Sequence, residues 1–347
     1  MLSWVLMVLV LLGITVPSEV VSQYPTLVPA LIGAIGVTTG LLSALFELLW
    51  LPRFVRRLTS AQALAFWTAT YVAIALGVTA LAVMLGTSLA SQRPTQVLSV
   101  PTFKELFATG MFWRPVIGLV VTSFIVNLGR QVRLALGPGM MMALLFGRFR
   151  RPVDEERVFM FVDLTGSTGL AQRLGSAGFN DFKNDFFYDV GQAALETGGR
   201  IYQYVGDQVV VTWPVRKGRA RGNALDAFYA IEASVRASAP RYERRYGAEA
   251  SFKAGVHAGP VVTAEVGYLK KDIVHSGDTV NVAARIEAMC HSYGARLLAS
   301  EAALGFLDVP QGATVEDVGE VALRGREGKV RLFRLVLAAS NSAPTRM

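Results

Sequence analysis

The chain has 347 residues, of which 52% are hydrophobic and 17% are charged, and its mean hydropathy is +0.41. This composition is too apolar for one ordinary soluble domain, and the length is too great for a membrane anchor alone. Residues 1–150 carry 10 Lys and Arg against 3 Asp and Glu, whereas residues 151–347 carry 24 against 23, so the net charge of +8 lies mainly in the first part. The basic residues stand in short clusters between apolar runs, which is typical of membrane-flanking segments and argues against nucleic-acid binding.

Four apolar runs occupy residues 2–16, 27–51, 63–90 and about 111–128. A helix needs about 20 apolar residues to cross the hydrocarbon core, so the pattern predicts a transmembrane region of about four helices within residues 1–136. The first run is short, and a cleaved signal peptide is the alternative for it. Arg clusters at 53–57 and 130–151 place both segments on the cytoplasmic side, which predicts a multi-pass protein of the cell (inner) membrane with its C-terminal half in the cytoplasm.

Residues 137–152 form a predicted juxtamembrane linker, which begins with Gly137, Pro138 and Gly139 and either transmits a signal or simply lies at the membrane edge. Beyond it, periodicity predicts strands at 158–162, 200–205, 209–213, 252–256, 261–266, 296–299 and 330–336. It predicts helices at 179–196, 220–239 and 278–290, the last capped by Ser276 or Asp278. Interleaved strands and helices indicate an α/β or α+β domain over 153–337, and residues 338–347 are predicted to be a flexible tail.

Two aspartates stand where predicted strands end. Asp163 ends the first strand and is followed by a polar turn that contains Thr165, Gly166, Ser167 and Thr168. Backbone N–H groups at such a turn can cradle phosphates, and the neighbouring acid can bind a metal ion. Asp207 lies in the predicted hairpin turn, and if that hairpin flanks the first strand, the two carboxylates could bind a pair of Mg²⁺ ions. The alternative for Asp207 is an ordinary turn residue.

Asn281 and Arg285 lie four residues apart in the predicted helix 278–290 and share one helix face, while Val282 and Ile286 belong to a separate apolar face. An amide and a guanidinium on one face suit a ribose and a negatively charged phosphoryl transition state. The alternative is a solvated polar face.

Four segments together resemble the class III adenylate and guanylate cyclase catalytic domain. They are residues 161–168 (FVDLTGST), 204–207 (YVGD), 255–261 (GVHAGPV) and 276–285 (SGDTVNVAAR), in the family's order and at its spacing. The resemblance covers about residues 153–337 and does not extend into the apolar half. It implies an α+β ferredoxin-like (βαββαβ) core that works as a homodimer with active sites at the interface.

The resemblance also implies roles for particular residues. Asp163 and Asp207, with the carbonyl of Leu164, would bind two Mg²⁺ or Mn²⁺ ions, one of which would lower the pKa of the ribose 3′-hydroxyl before it attacks the α-phosphorus. Asn281 and Arg285 would come from the partner subunit to orient the ribose and stabilise the transition state. A basic residue of the C-terminal hairpin would meet the triphosphate, for which the candidates are Arg324 and then Arg326.

Two positions depart from the family pattern. Gln203 stands where members that use ATP commonly have Lys, and Val274 stands where they commonly have Asp or Thr. A Gln amide could pair with either purine, and Val offers no side-chain hydrogen bond. We expect a membrane-anchored cyclase that converts ATP to 3′,5′-cyclic AMP and pyrophosphate; the alternatives are a guanylate cyclase and a non-catalytic nucleotide-binding membrane receptor module.

Overall fold

The structure is a computed structural model of the chain. It describes residues 60–91, 113–136, 142–143, 146–216, 219–220, 223–269 and 271–337, together with scattered residues between 26 and 45. Contacts along the chain divide it into two compact units, residues 1–136 and 137–347. The predicted tail 338–347 lies outside the described residues, as does most of 137–145 in the predicted linker.

Two long helices, α1 (Ser60–Ser91) and α2 (Trp113–Leu136), pack against each other in the N-terminal unit. Trp67 and Tyr71 of α1 are buried, as are Ser123 and Asn127 of α2. The exposed large apolar side chains of α2 recur at helical spacing and are Ile117, Val120, Val121, Phe124, Ile125, Leu128 and Val132. The described side chains of this unit thus include buried polar and aromatic groups and an exposed apolar stripe.

Among the described residues, no helix combines the length and apolarity that crossing a membrane requires. The apolar run 2–16 lies outside the described residues, and run 27–51 is described only at scattered positions. The described part of the chain therefore does not support the prediction of about four transmembrane helices.

In the described part of the C-terminal unit, nine strands form one sheet with order β2-β3-β1-β5-β7-β9-β8, in which β4 pairs with β3 and β6 pairs with β5. The strands are β1 (Val153–Leu164), β2 (Arg200–Val205), β3 (Gln208–Arg216), β4 (Arg219–Ala220), β5 (Phe252–Val266), β6 (Asp272–Ser276), β7 (Leu297–Ser300), β8 (Ala313–Ala322) and β9 (Lys329–Leu337). The helices are α3 (Ser167–Glu196), α4 (Ala224–Tyr246), α5 (Asp278–Met289) and α6 (Glu301–Leu304).

The segment from β1 to β5 forms the predicted ferredoxin-like core. Its elements follow the order β1-α3-β2-β3-α4-β5, and its strands lie in the order β2-β3-β1-β5 with each neighbouring pair antiparallel. The βαββαβ prediction is therefore confirmed. Strand β7 adds to this core in parallel to β5, and β9 and β8 continue the sheet.

Strand β1 is buried on both faces and separates two layers of helices. Val158, Met160 and Val162 belong to the core beneath α3 and α4, whereas Phe159 and Phe161 belong to the cluster that includes Ala283 of α5. Because successive strand residues point to opposite faces, Asp163 continues the series of Phe159 and Phe161. Its side chain therefore lies on the face that α5 covers.

Several predicted boundaries are wrong. β5 is one strand of 15 residues where the sequence predicts two. Gly259 lies within this strand and allows close packing instead of forming a turn, since a Cβ at this position would lie 2.8 Å from Thr279 Oγ1. Helix α3 begins at Ser167 instead of 179, with a break at Gly175. The N-cap of α5 is Gly277 rather than Ser276 or Asp278 and makes no side-chain capping bond. Strands β4, β6 and β8 and the short helix α6 are absent from the prediction.

Candidate active site

The two aspartates predicted to share a site lie on neighbouring strand ends. Asp163, near the end of β1, is the cross-strand partner of Gln208, the first residue of β3. Asp207 directly precedes Gln208 in the β2–β3 turn, where Gly206 adopts a φ of 63° that favours glycine. Lys183 of α3 donates to the Gly206 carbonyl at 3.3 Å and thereby ties this turn to the helix. The structure thus brings both carboxylates to one edge of the sheet.

The electrostatic environment of Asp163 reflects this convergence. Burial raises the pKa of the Asp163 carboxyl, the charge of Asp207 raises it further, and Lys253 opposes both effects. The Asp163 side chain keeps 17% of its surface exposed. The strand ends that carry Asp163 and Asp207, here called the acidic edge, therefore form a half-buried site where negative charges repel each other and a cation would be stabilised.

Two residues outside the predicted site, Lys253 and Glu287, complete the charges at this edge. Lys253 of β5 is the other cross-strand partner of Asp163, and its Nζ lies 3.6 Å from Asp163 Oδ2 and 3.1 Å from Glu287 Oε1. Gln208 Nε2 donates to Glu287 Oε2 at 3.0 Å. Burial raises the pKa of Glu287, and Asp163 and Asp207 add to this while Lys253 opposes it.

A sequence signal for both residues existed. Lys253 lies two residues before the glycine of the 255–261 segment, and Glu287 lies six residues after Asn281 on the sheet-facing side of α5. Helical spacing groups Glu287 with Ala283, which packs on the sheet. A buried acid at such a position requires a partner, and Lys253 supplies it.

The donor set suits a metal ion that takes most of its ligands from outside the protein. Within the described residues, no group of three or more His, Cys, Asp and Glu side chains is arranged to hold a metal ion. Mg²⁺ commonly binds through one or two carboxylates together with waters and substrate phosphates, and Asp163 and Asp207 provide such a pair. Leu164, the predicted carbonyl ligand, is the last residue of β1 and adjoins this edge.

The predicted phosphate-binding turn leads directly into α3. Thr165 N–H donates to the Ser251 carbonyl at 2.8 Å, so this amide is already engaged. Gly166 is the N-cap of α3, and Ser167 and Thr168 form its first turn, where the initial N–H groups have no acceptor within the helix. The turn therefore presents the amides that follow Gly166, rather than that of Thr165, beside the acidic edge.

Helix α5 presents its polar residues on two different sides. Asn281 is exposed and Arg285 is half-buried, whereas Glu287 is buried against the sheet. Two residues correspond to about 200° of helix rotation, so Arg285 and Glu287 point in nearly opposite directions. Among the described residues, Arg285 Nη1 is buried without a hydrogen-bond partner. The Asn281–Arg285 pair therefore shares one side of α5 and points away from the acidic edge of its own chain.

The turn between β8 and β9 lies beside this polar side of α5. Arg326 Nη1 is 3.3 Å from Asp278 Oδ2 at the start of α5, and a Cβ on Gly325 would lie 3.6 Å from Arg285 Nη2. The side chain of Arg324, the first candidate for the triphosphate, is exposed in the same turn. The structure thus places this turn beside Arg285, and it ties Arg326 to the start of α5.

Gln203 and Val274 lie on β2 and β6, two strands that are linked by a contact between aromatic rings. Gln203 is exposed on β2, and Val274 is half-buried on β6. The neighbouring residues, Tyr202 and His275, have ring centroids 4.8 Å apart, and the backbone N–H of His275 donates to the Tyr202 hydroxyl at 3.2 Å. This contact fixes the separation of the two strands that carry the predicted base-reading residues.

Comparisons with known proteins agree with this architecture. Residues 152–336 match the family described as the adenylate and guanylate cyclase catalytic domain. The chain is 38% identical over 205 residues to Adenylate cyclase 2 of Rhizobium meliloti (strain 1021), covering 59% of this chain and 56% of the relative. It is 26% identical over 185 residues to Adenylate cyclase of Anabaena cylindrica, covering 51% of this chain and 36% of the relative.

The chain therefore spans about half or less of the length of these relatives. Among solved structures, a bacterial light-regulated adenylyl cyclase superposes with a TM-score of 0.52 at 17% identity, over 62% of this chain and 63% of that one. At this identity the likeness concerns the fold alone.

Proposed function

Because this chain belongs to the adenylate and guanylate cyclase catalytic-domain family, we propose that it converts ATP to 3′,5′-cyclic AMP and pyrophosphate at sites shared between two copies of the chain. The observation that carries the proposal is the convergence of Asp163 and Asp207 at one sheet edge, with Asn281 and Arg285 turned away from it on α5. These groups supply the two halves of a phosphoryl-transfer site, one for cations and one for the transition state.

The acidic edge forms the half that holds cations and phosphate. Asp163 and Asp207 would bind two Mg²⁺ or Mn²⁺ ions, with the Leu164 carbonyl as an added ligand, and the first amides of α3 would contact phosphate oxygens. Ions bound there would lower the pKa of the ribose 3′-hydroxyl and neutralise charge that develops on the α-phosphate. The protein's own contribution is to align the hydroxyl with the α-phosphorus and to keep both carboxylates half-buried.

The polar side of α5 forms the transition-state half. The Asn281 amide would orient the ribose, and the Arg285 guanidinium, with its buried and unpartnered Nη1 among the described residues, would stabilise the pentavalent phosphate. Arg324 or Arg326 would meet the triphosphate from the adjoining turn. Since this side faces away from the acidic edge of its own chain, a second copy must bring it to that edge, which supports a homodimer.

The choice of ATP rests on the two relatives described above, both of which are adenylate cyclases by name. Gln203 and Val274 do not provide the Lys and Asp pair typical of ATP use, so GTP is the alternative substrate. A receptor that binds nucleotide without turnover is the second alternative, and it is supported by the same two departures from the family pattern, Gln203 and Val274.

The N-terminal unit would attach the enzyme to the cell membrane with the catalytic domain in the cytoplasm. The apolar runs and flanking Arg clusters of the sequence support this, as does the apolar stripe exposed on α2 opposite buried Ser123 and Asn127. Alkaline carbonate extraction of membranes that contain the chain tests the attachment. We expect the chain to stay in the pellet, and its release into the supernatant would overturn this part of the proposal.

Product identification tests the enzymatic proposal. The purified full chain is incubated with Mn²⁺ and ATP or GTP, and the products are resolved by liquid chromatography and mass spectrometry, with Asp207→Asn as the variant that keeps shape and removes charge. We expect 3′,5′-cyclic AMP from the wild type, more product from ATP than from GTP, and loss of product in the variant. Nucleotide binding without cyclic product would favour the receptor alternative, and cyclic GMP as the main product would favour the guanylate cyclase.

A further inference from the structure

Glu287 is fixed in place by the packing of α5 on β5. A Cβ on Gly255 would lie 2.2 Å from the Glu287 backbone nitrogen and 2.6 Å from its Cα, so only glycine allows this approach. The Glu287 side chain is 2% exposed, and Gln208 Nε2 holds its Oε2 at 3.0 Å. The carboxylate therefore has a set position beneath the acidic edge and little freedom to leave it.

Lys253 lies between this fixed carboxylate and Asp163. Its ammonium is 3.1 Å from Glu287 and 3.6 Å from Asp163, and its side chain is 22% exposed. A lysine side chain is flexible and its ammonium is a compact charge, so it can move between two acceptors at little cost. The ammonium can therefore form a close ion pair with Asp163 or with Glu287, but not with both carboxylates at once.

We propose that Glu287 is a positioning residue that holds the Lys253 ammonium away from Asp163, so that Asp163 is available to a divalent cation. The proposal rests on the proposed function, since it concerns the same pair of metal-binding aspartates. Without a cation, Lys253 balances the repulsion between Asp163 and Asp207. When a cation binds Asp163, repulsion between positive charges drives Lys253 wholly to Glu287.

This arrangement predicts a distinctive order of metal affinities. In Glu287→Gln, Lys253 has Asp163 as its main remaining anion and competes with the metal, so Mn²⁺ binds about tenfold more weakly, the scale of one close charge contact at a half-buried carboxylate. In Lys253→Met the competitor is gone, and Mn²⁺ binds at least as tightly as in the wild type. The double variant lacks both the competitor and the residue that restrains it, so its affinity returns to that of the wild type.

Mn²⁺ binding to the purified full chain is measured by the loss of the electron paramagnetic resonance signal of free Mn²⁺. One arm uses Mn²⁺ alone, and a second adds 3′-deoxy-ATP, which lacks the attacking hydroxyl and so prevents turnover. The second arm is compared with the same mixture without protein, because the triphosphate itself binds Mn²⁺. Glu232→Gln is the matched control, because it removes a carboxylate from the Arg236 and Arg296 ion pairs at a different site. Circular dichroism establishes that each variant is folded.

The Mn²⁺ affinities of these variants distinguish a failure of this proposal from a failure of the proposed function. Recovery of wild-type affinity in the double variant supports the proposal, because a purely structural role would leave that variant as weak as Glu287→Gln or weaker. Equal affinities of the wild type and Glu287→Gln, or a weaker Lys253→Met, would overturn it. If Glu287→Gln does not fold, the Lys253→Met result decides. Mn²⁺ binding that Asp163→Ala leaves unchanged would instead contradict the proposed function, since the bound ion would then lie elsewhere.

Discussion

Arg285 and Glu287 are two residues apart on α5 and point to nearly opposite sides of it. Glu287 is buried against the sheet and contacts Lys253 beside Asp163, whereas Arg285 lies next to the β8–β9 turn near Gly325. A single chain therefore separates the carboxylates from the guanidinium that the proposed reaction would use.

Purine selection is expected to depend on β2 and β6. Replacing Gln203 with Lys and Val274 with Asp should raise the ratio of ATP to GTP turnover by roughly tenfold, because charged hydrogen-bonding groups discriminate more strongly than an amide and an isopropyl group. The measurement is kcat/KM for each nucleotide in the full chain. An unchanged ratio would show that these positions do not contact the base.

Gly255→Ala should destabilise the C-terminal unit by about 3 kcal/mol, because the new methyl group meets the Glu287 backbone rather than a movable side-chain end. Gly191→Ala in α3 is the matched control, since no atom lies within 4 Å of its Cβ position. Alanine there should be neutral or stabilising by about 0.5 kcal/mol. Pulse proteolysis of the full chain in urea measures both effects, and similar stabilities of the two variants would contradict the packing argument.

The ion pairs between α3 and α4 should differ in strength according to burial. The Asp189 side chain is 4% exposed and accepts hydrogen bonds from Arg241 at 2.8 Å and from the Tyr242 hydroxyl at 2.7 Å. Asp189→Asn should therefore cost about 2 kcal/mol of unfolding free energy. Asp181→Asn, whose side chain is 58% exposed, should cost less than about 1 kcal/mol. Equal costs in urea denaturation would be inconsistent with this account.

Acidification below neutral pH should destabilise the C-terminal unit through two buried histidines. Burial lowers the pKa of each histidine, His257 and His275, to about 4. For His257, the charge of Arg326 lowers the pKa further and that of Asp278 raises it. For His275, Arg157 lowers the pKa further and Glu155 raises it. An unfolded histidine takes up its proton near pH 6.5, so lowering the pH from 6.5 to 4 favours the unfolded chain by up to about 3 kcal/mol for each histidine.

Urea midpoints between pH 7.5 and 4.5 measure this dependence. His275→Gln and His257→Gln should each flatten the decline in stability at low pH, whatever their effect at pH 7.5. A decline as steep as that of the wild type in both variants would show that other groups cause it.

The sequence predicted much of the C-terminal fold because its strands and motifs are locally encoded. Val158 to Val162 is a continuous apolar run, as a strand buried on both faces requires, and the Gly206–Asp207 turn marks its hairpin. Strands β6 and β8 were missed because β8 is largely exposed and both strands depend on pairing with β5 and β9, which no local pattern reveals. Helical spacing places Glu287 on the sheet-facing side of α5, but its pairing with Lys253 is a contact between α5 and β5 that only the fold reveals.

The central claim, that each site takes its aspartates from one chain and its arginine from the other, is tested most directly by mixing two inactive variants. Asp163→Ala and Arg285→Ala should each abolish cyclase activity, and co-expression should restore about a quarter of it, because half of randomly mixed dimers have one intact site out of two. Asp163→Ala mixed with Asp207→Ala is the control and should restore none, since both changes affect the same half-site. Cyclic nucleotide formation by the first mixture alone is the predicted result. No restoration in a folded, dimeric mixture would contradict the shared site.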